Sequence, residues 1–311
     1  MCAKPILKWA GGKTKIMNQI HEHISSRPLG IEWSVKGKGR YIEPFTGSSA
    51  AYLGLVDRGV ISTKNVILSD INEVLIVTLD TIRQKEKLDL VINQLEKMES
   101  KFTKNKEDYY YSSRDVMNNS IINNPKKNPV KTAAYMIFLN KTCFNGLWRI
   151  NTSGAFNTPL GRPSAGKITI LNQSDLKSYS EAVKNVKFIC QDWKKTISSA
   201  GRGDLIYVDP PYLPIQDDEY VFRDYTGEGF SNSTHLDLAK SCAEAATRGA
   251  KVIISNNYSP KIEKLYMEAA KESGARISRT KKIQLKRTMK KVSKEKREKI
   301  EELLIFMAEK Q

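Results

Sequence analysis

The chain has 311 residues, of which 40% are hydrophobic, and this is enough to build a large folded core and to exclude a disordered chain. Lysine and arginine total 51 against 34 acidic residues, which gives a net charge of +17 and favours a polyanionic partner such as nucleic acid. An inert basic surface would carry the same charge, so charge alone does not decide the partner.

Other compositional features exclude further classes of protein. No apolar run has the length of a membrane span, and residues 1–10 lack the pattern of a signal peptide, so we expect no membrane attachment. The four cysteines and three histidines are scattered along the chain. This pattern predicts no metal site and a reducing, cytoplasmic environment.

Short apolar runs that end in polar residues predict the strands of a mostly parallel sheet. The runs lie at 40–43, 66–69, 186–190, 204–208, 251–255 and 303–307. Helical patterns between them, such as 233–248 and 260–273, predict an α/β fold with helices on both faces. Because ligands bind beyond the carboxyl ends of parallel strands, the polar residues there are expected to line one site.

Residues 77–169 interrupt this pattern, and we predict that they form an inserted domain. A charged amphipathic helix is predicted over 78–101, and residues 126–138 lead into another helix. From 140 to 162 the composition changes to asparagine, glycine and aromatic residues, as in a hairpin with loops. The sheet domain would then comprise 1–76 and 170–311.

The most specific motif is Asp209-Pro210-Pro211-Tyr212, directly after a predicted strand. Two consecutive prolines fix two φ angles and remove two donors, which leaves a rigid turn with free carbonyls. A carboxylate, a fixed carbonyl and an aromatic ring together suit a planar exocyclic amine, which they would activate by positioning and electrostatics. The alternative for any Pro-Pro pair is a plain turn beside a buried tyrosine.

Two further motifs follow predicted strands. Phe45 and Gly47 belong to a Glu-Pro-Phe-Thr-Gly loop, and Asp70 follows Gly47 by close to the ~20 residues expected of an acidic residue that binds ribose hydroxyls. A helix N-cap is the alternative role for Asp70. Asp192 is a candidate acceptor for the amino group of a nucleotide. Only its position at the end of a predicted strand supports this role.

The order of these motifs resembles the Dam family of DNA adenine-N6 methyltransferases, the alpha-ordered class of Asp-Pro-Pro-Tyr type. The matching segments are 7–13, 43–47, 70–72, 140–149 with its continuation 154–161, 209–212 and 255–257. The resemblance implies a Rossmann-like S-adenosylmethionine-dependent methyltransferase sheet with an inserted, mainly helical DNA-recognition domain carrying a β-hairpin. One departure is Ser49, where the family usually has glycine, and we expect it to shift the methionine moiety slightly without loss of binding.

The resemblance also implies the roles of individual residues. The catalytic set is Asp209, Pro210, Pro211 and Tyr212. The residues expected to bind S-adenosylmethionine are Trp9, Lys13, Phe45, Gly47, Asp70, Asp192 and Asp209. Those expected to contact DNA are Lys8, Phe144, Asn145, Leu147, Arg149, Asn151, Pro159 and Arg162. No metal ligand is expected.

Chemistry assigns different tasks to the expected DNA contacts. Lys8 and Arg149 suit the guanine acceptors of the major groove, and Arg162 suits phosphates, as do the basic residues of 279–299. Phe144 would fill the gap left by a flipped adenine, and a small local core is the alternative role of both Phe144 and Leu147. Leu147 and Pro159 would contact thymine methyls. After the catalytic motif, Phe222 and Tyr225 resemble a family pair that encloses the flipped base.

We therefore predict a cytoplasmic, monomeric enzyme that methylates N6 of a flipped adenine in duplex DNA, in a GATC-like site, with a cognate restriction endonuclease as a possible partner. The alternatives are a catalytically inactive DNA-binding protein of the same fold and an RNA adenine methyltransferase. Cytosine-N4 and glutamine methylators usually carry serine and asparagine where Asp209 stands.

Overall fold

A computed structural model describes residues 3–162, 169–212, 230–279, 283–285 and 300–310. The predicted base-enclosing pair Phe222 and Tyr225 lies outside the described residues, as does most of the basic stretch 279–299.

Within these ranges, eight strands form one sheet. They are β1 (Tyr41–Glu43), β2 (Val66–Asp70), β3 (Val186–Cys190), β4 (Leu205–Val208), β5 (Lys251–Asn257), β6 (Arg276–Arg279), β7 (Ile283–Leu285) and β8 (Ile300–Ala308). The spatial order is β3-β2-β1-β4-β5-β8-β6, and β7 also pairs with β8. The first five strands run parallel, and β8 is antiparallel to its neighbours. The expected Rossmann-like α/β class is confirmed.

The strands form because their apolar residues cover both faces of the sheet, as buried parallel strands require. Along β4, Leu205 and Tyr207 enter one hydrophobic cluster, whereas Ile206 and Val208 enter the other. This alternation, with a period of two residues, also determines which face each residue at the strand end joins. Asp209 therefore continues the face of Leu205 and Tyr207.

Ten α-helices lie within the described ranges. They are α1 (Met17–Ser25), α2 (Ala50–Asp57), α3 (Glu73–Arg83), α4 (Lys85–Lys104), α5 (Lys106–Val116), α6 (Pro129–Thr142), α7 (Gln173–Ala182), α8 (Trp193–Ser198), α9 (Asn232–Thr247) and α10 (Pro260–Ser273). Short helical turns lie at Lys13–Lys15, Pro28–Gly30, Met117–Ile121, Pro125–Lys127 and Phe144–Gly146.

The sequence specifies several helix ends through side-chain caps. The side chain of Asn72 accepts from the backbone of Leu75 at the start of α3, and Ser259 caps α10, where Pro260 occupies the first turn. The single helix predicted over 78–101 is wrong. Gln84 is extended, with its side-chain amide donating to Asp80, and it separates α3 from α4.

The inserted region packs directly on the sheet domain. One hydrophobic cluster contains Leu68 of β2, Leu75 of α3 and Phe138 of α6. The predicted boundary at 76/77 falls inside α3, so this helix belongs to both regions. No helix within the described ranges combines the length and apolar character of a membrane span.

Candidate active site

Three polar residues at one end of the sheet face the same side. Asp209 continues the face of Tyr207, Ser255 that of Ile253, and Glu302 that of Leu304, because side chains alternate along a strand. The short helical turn Lys13–Lys15 brings Lys13 to this face. The strands and this turn thereby assemble a charged cluster from distant parts of the chain.

Lys13 and Asp209 form the centre of the cluster. The Lys13 ammonium lies 2.7 Å from both carboxylate oxygens of Asp209 and donates a further hydrogen bond to the carbonyl of Gly11. The Lys13 side chain is 4% exposed and that of Asp209 is 21% exposed, so solvent reaches only the carboxylate side of the pair. The structure thus places the predicted cofactor lysine on the predicted catalytic carboxylate.

A second carboxylate, Glu302 of β8, completes the cluster. Its Oε1 accepts hydrogen bonds from Ser255 Oγ at 2.5 Å and from the hydroxyl of Tyr212. The Lys13 ammonium lies 3.5 Å from Glu302 and 4.9 Å from the centre of the Tyr212 ring. The Lys13 ammonium therefore lies close to two carboxylates and to the face of an aromatic ring.

Burial and neighbouring charges set the protonation of this cluster. Burial raises the pKa of Asp209 to about 6; the Lys13 ammonium lowers it, and the charge of Glu302 raises it further. Burial lowers the pKa of Lys13, but Asp209 and Glu302 more than offset this effect and leave it above its ordinary value. At neutral pH the pair is ionised.

The Pro210-Pro211 turn is fixed by a residue that the sequence did not indicate. His235 of α9 is fully buried, and its Nε2 donates to the carbonyl of Pro211 at 3.1 Å. Burial lowers the pKa of His235 to about 4, so the imidazole is neutral and can serve as this donor. The Pro211 carbonyl is therefore already occupied within the protein.

The glycine loop after β1 lies beside this cluster and is attached to β2. The Asp70 carboxylate accepts from the backbone of Gly47 at 3.1 Å and of Asn72 at 3.0 Å. Since Asn72 caps α3, Asp70 does not take the alternative role of N-cap. Trp9 covers the loop so closely that a Cβ on Gly47 would lie 2.6 Å from its ring, and φ of Gly47 is +48°.

Ser49 occupies the position where the resembled family usually has glycine, and its backbone explains that preference. Its φ is 61° and its ψ is 27°, the left-handed region that glycine enters without cost. The hydroxyl of Ser49 lies 3.1 Å from the hydroxyl of Tyr179 and 3.4 Å from that of Thr46. The side chain thus points into a buried hydrogen-bond network.

That network ends at Glu43, the last residue of β1. Glu43 is 2% exposed and accepts hydrogen bonds from the hydroxyls of Tyr41 at 2.6 Å and Thr46 at 3.2 Å. Burial raises the pKa of Glu43 to about 8 in spite of these two donors. A neutral carboxylic acid therefore lies beneath the glycine loop at pH 7.

Aromatic rings line the other side of the loop. The ring of Phe45 lies 6.2 Å from that of Trp193 and 5.8 Å from that of Phe230, which in turn packs edge-on against His235. Asp192, just before Trp193, is exposed and accepts from the backbone of Lys194 at 2.7 Å, so it caps α8. Trp193 was not predicted, although it lies only three residues after the end of β3.

Residues 142–161 form an antiparallel hairpin, as predicted. Its isolated bridges are Cys143 with Leu160 and Ile150 with Phe156. Asn140 joins the hairpin to the N-terminal segment, because its side chain accepts from the backbone of Lys8 at 2.8 Å and donates to the carbonyls of Lys8 and Gly146. A Cβ on Gly146 would lie 2.5 Å from the Cβ of Lys8, so glycine lets the two segments touch.

The hairpin has one buried and one exposed side. Trp148 and Phe156 stack at 4.7 Å beneath it. Phe144 is 49% exposed, which excludes a core role for its ring. The exposed residues among the predicted DNA contacts are Lys8, Phe144, Asn145, Arg149, Pro159 and Arg162, whereas Leu147 and Asn151 are half-buried.

Two of these side chains already have partners within the hairpin. Arg149 donates to the side chain and the carbonyl of Asn157 at 2.7 and 3.3 Å. Asn151 Oδ1 accepts from the backbones of Ser153 and Ala155, so it stabilises the turn.

Comparison with known proteins decides the family. A family model described as D12 class N6 adenine-specific DNA methyltransferase matches residues 9–289. The chain belongs to this family. Type II methyltransferase M.MjaIII of Methanocaldococcus jannaschii is 37% identical over 262 residues, which are 83% of this chain and 86% of that protein. The DNA adenine methylase of Haemophilus influenzae is 30% identical over 311 residues, covering 99% of this chain and 95% of its own.

The protein is accordingly an adenine-specific DNA methyltransferase that requires a methyl donor. The candidate active site contains residues that the sequence did not reveal, among them Glu302 and His235. Glu302 directly precedes the apolar run of β8, and only its shared alternation with Leu304 and Phe306 indicates the face it joins. His235 lies on an ordinary helical pattern, and no signal in the sequence separates it from a core histidine.

Proposed function

We propose that this methyltransferase transfers a methyl group from S-adenosylmethionine to N6 of a flipped adenine in duplex DNA, within a GATC-like site. The observation that carries the proposal is the Asp209 carboxylate, ionised at neutral pH and set beside the rigid Pro210-Pro211 turn and the Tyr212 ring.

The chemistry of this arrangement suits an exocyclic amine. S-adenosylmethionine would supply the methyl group from its sulfonium and would leave as the neutral thioether, and the methylated amine would lose one N–H proton, finally to solvent. The Asp209 carboxylate and the Pro210 carbonyl would each accept an N–H of the adenine amine, which concentrates negative charge on nitrogen and directs its lone pair outward. The ring of Tyr212 would hold the base by stacking. Such catalysis works by preorganised electrostatics and orientation, without a covalent intermediate.

The residues around the glycine loop fit the proposed cofactor. Asp70 is partly exposed at the carboxyl end of β2 and offers acceptor oxygens to ribose hydroxyls. The aromatic group of Phe45, Trp193 and Phe230 offers apolar faces to an adenine ring. Trp9 and Gly47 would hold the methionine part, and Lys13 would act from its position on Asp209. Asp192 would contribute through the oxygen that does not cap α8.

The hairpin supplies the proposed sequence readout. Exposed Lys8 and Arg149 would donate to guanine O6 and N7, Phe144 would fill the gap left by the flipped base, and Arg162 would contact phosphate. To reach guanine, Arg149 would have to break its hydrogen bond to Asn157, or Asn157 would have to move with it and act as a second donor. The remaining contacts would come from Asn145, Leu147, Asn151 and Pro159.

In this proposal residues 77–169 are the target-recognition domain and residues 1–76 with 170–311 the catalytic domain of a monomeric enzyme. The type II methyltransferase from Methanocaldococcus jannaschii supports a restriction endonuclease as a partner.

The experiment is transfer of labelled methyl from S-adenosylmethionine to duplexes that contain GATC, a scrambled site or no adenine, with single-stranded RNA alongside. We expect label on N6 of adenine in the GATC duplex, and loss of turnover with retained DNA binding in Asp209→Ala. Arg149→Ala should lose about 1–3 kcal/mol of discrimination at one guanine. Labelling of RNA alone, or of another atom, would refute the proposal, as would turnover by Asp209→Ala.

A further inference from the structure

The buried carboxylate of Glu302 has no role in the methyl transfer described so far. Its side chain is 1% exposed, in a setting where an ion costs several kcal/mol unless it is paired. Its neighbours are Ser255, Tyr212 and Lys13, so every described contact of this carboxylate lies within the active-site cluster.

Lys13 creates a difficulty for the acceptor amine. With its ammonium 2.7 Å from both oxygens of Asp209, it lies between them, in the position that a donor to this carboxylate would take. The adenine amine is a much weaker donor than an ammonium, and charge-assisted hydrogen bonds are the stronger ones. Asp209 can receive the amine in its best geometry only if Lys13 moves.

Glu302 offers the alternative position. The ammonium is 3.5 Å from its carboxylate, and a hydrogen bond of normal length needs an approach of only about 0.7 Å. A lysine side chain makes such a movement by small changes of its torsion angles. The move would keep the ammonium paired, so no uncompensated charge would be left in the buried site.

We propose that Glu302 is a positioning residue that takes Lys13 over from Asp209 when the acceptor amine enters, while it holds the Tyr212 hydroxyl in place. This inference rests on the proposed role of Asp209 as acceptor of the amine. In the free enzyme Lys13 neutralises Asp209, and in the reacting complex Glu302 neutralises Lys13. The negative charge of Asp209 then becomes available when the amine is present.

The test is a double-mutant cycle with Glu302→Gln and Lys13→Met under saturating DNA and S-adenosylmethionine. Gln keeps the size and the acceptor oxygen for Tyr212 but removes the charge. We expect Glu302→Gln to lower kcat at least tenfold with each KM within threefold. In the Lys13→Met background the same change should alter kcat less than threefold. The matched control, Glu309→Gln, makes the same substitution at a glutamate just after β8 that pairs with Arg202 outside the cluster, and it should stay within threefold of the wild type.

An equal loss of kcat in both backgrounds would show that Glu302 only supports the fold near Tyr212, and the proposal would be wrong. Wild-type kcat in Glu302→Gln would overturn it as well. Thermal unfolding of each variant verifies that the compared enzymes are folded.

A second measurement needs no turnover, so it separates this inference from the proposed function. The carboxyl carbon of Asp209, labelled with ¹³C and assigned by comparison with Asp209→Asn, is titrated by NMR. The groups that bear on this carboxyl are Lys13, Glu302, Tyr212, Tyr207 and Glu43. Removal of the Glu302 charge should lower the pKa of Asp209 by about one unit. An unchanged pKa would show that the two carboxylates do not share Lys13, even in an enzyme that methylates adenine.

Discussion

The stability of Glu43→Gln relative to the wild type should increase as the pH rises. This is expected even though the wild-type carboxyl accepts hydrogen bonds from two hydroxyls. In the unfolded chain this carboxyl ionises near 4.5, whereas in the folded protein it retains its proton up to a pKa of about 8. Between these values the unfolded state alone gains from ionisation. Rising pH therefore favours unfolding of the wild type, and a glutamine has no proton to lose.

The size of the effect follows from the two pKa values. One pKa unit corresponds to about 1.4 kcal/mol, so ionisation of Glu43 in the unfolded chain costs the wild type about 1 kcal/mol at pH 5 and about 3 kcal/mol at pH 7. The free energy of unfolding of Glu43→Gln minus that of the wild type should therefore increase by about 2 kcal/mol over this interval.

Urea unfolding of both proteins at pH 5, 6 and 7 measures this difference, and the subtraction cancels the titration of all unchanged groups. Glutamine can still accept from Tyr41 and can donate to Thr46, so a fixed offset at every pH is compatible with the reasoning. A difference that stays flat from pH 5 to 7, or decreases, would show that Glu43 is ionised in the folded protein and would refute it.

Three further outcomes follow from the site. The acidic limb of the pH profile of kcat/KM should have a pKa of about 6, because Asp209 must be ionised to accept the amine. Below this pKa, kcat/KM should fall about tenfold per pH unit. A flat profile down to pH 5 would contradict this role of Asp209. Ser49→Gly should be more stable than Ser49→Ala by about 1 kcal/mol in urea unfolding, since both lose the contact with Tyr179 but only alanine keeps the strain of φ 61°. Gly146→Ala should weaken binding to the GATC duplex while cofactor binding, measured by calorimetry, stays within twofold, because its methyl group would collide with Lys8.

Much of the fold could be predicted because the buried strands appear in the sequence as short apolar runs that end in polar residues. The buried run of β4 and the turn signal of Pro210-Pro211 place Asp209 at the carboxyl end of a strand without any knowledge of the neighbours. The break between α3 and α4 could not be predicted, because Gln84 is neither glycine nor proline and ends α3 by hydrogen bonds to Asp80.

Glu302 was missed because its place in the site depends on the pairing register of its strand. Glu302 reaches the site only because β8 inserts antiparallel beside β5, where Glu302 pairs with Asn257. The polar residues Asp192 and Asn151 show the opposite difficulty. Their position in the sequence indicates a ligand contact, but each also satisfies nearby backbone donors, as short polar side chains commonly do.

The hydrogen bonds from Asn140 to Lys8 have a consequence for exchanging target specificity between relatives. They attach Lys8 to the hairpin, so the proposed reading surface includes a residue that lies far from the hairpin in sequence. A chimaera that transplants only residues 77–169 would combine the hairpin of one parent with Lys8 of the other. The residue at position 146 would then come from one parent and the residue at position 8, which packs against it, from the other. We therefore expect a chimaera to acquire the donor's target specificity only when residues 6–13 and 77–169 come from the same parent. The segment that must be exchanged is thus discontinuous in sequence.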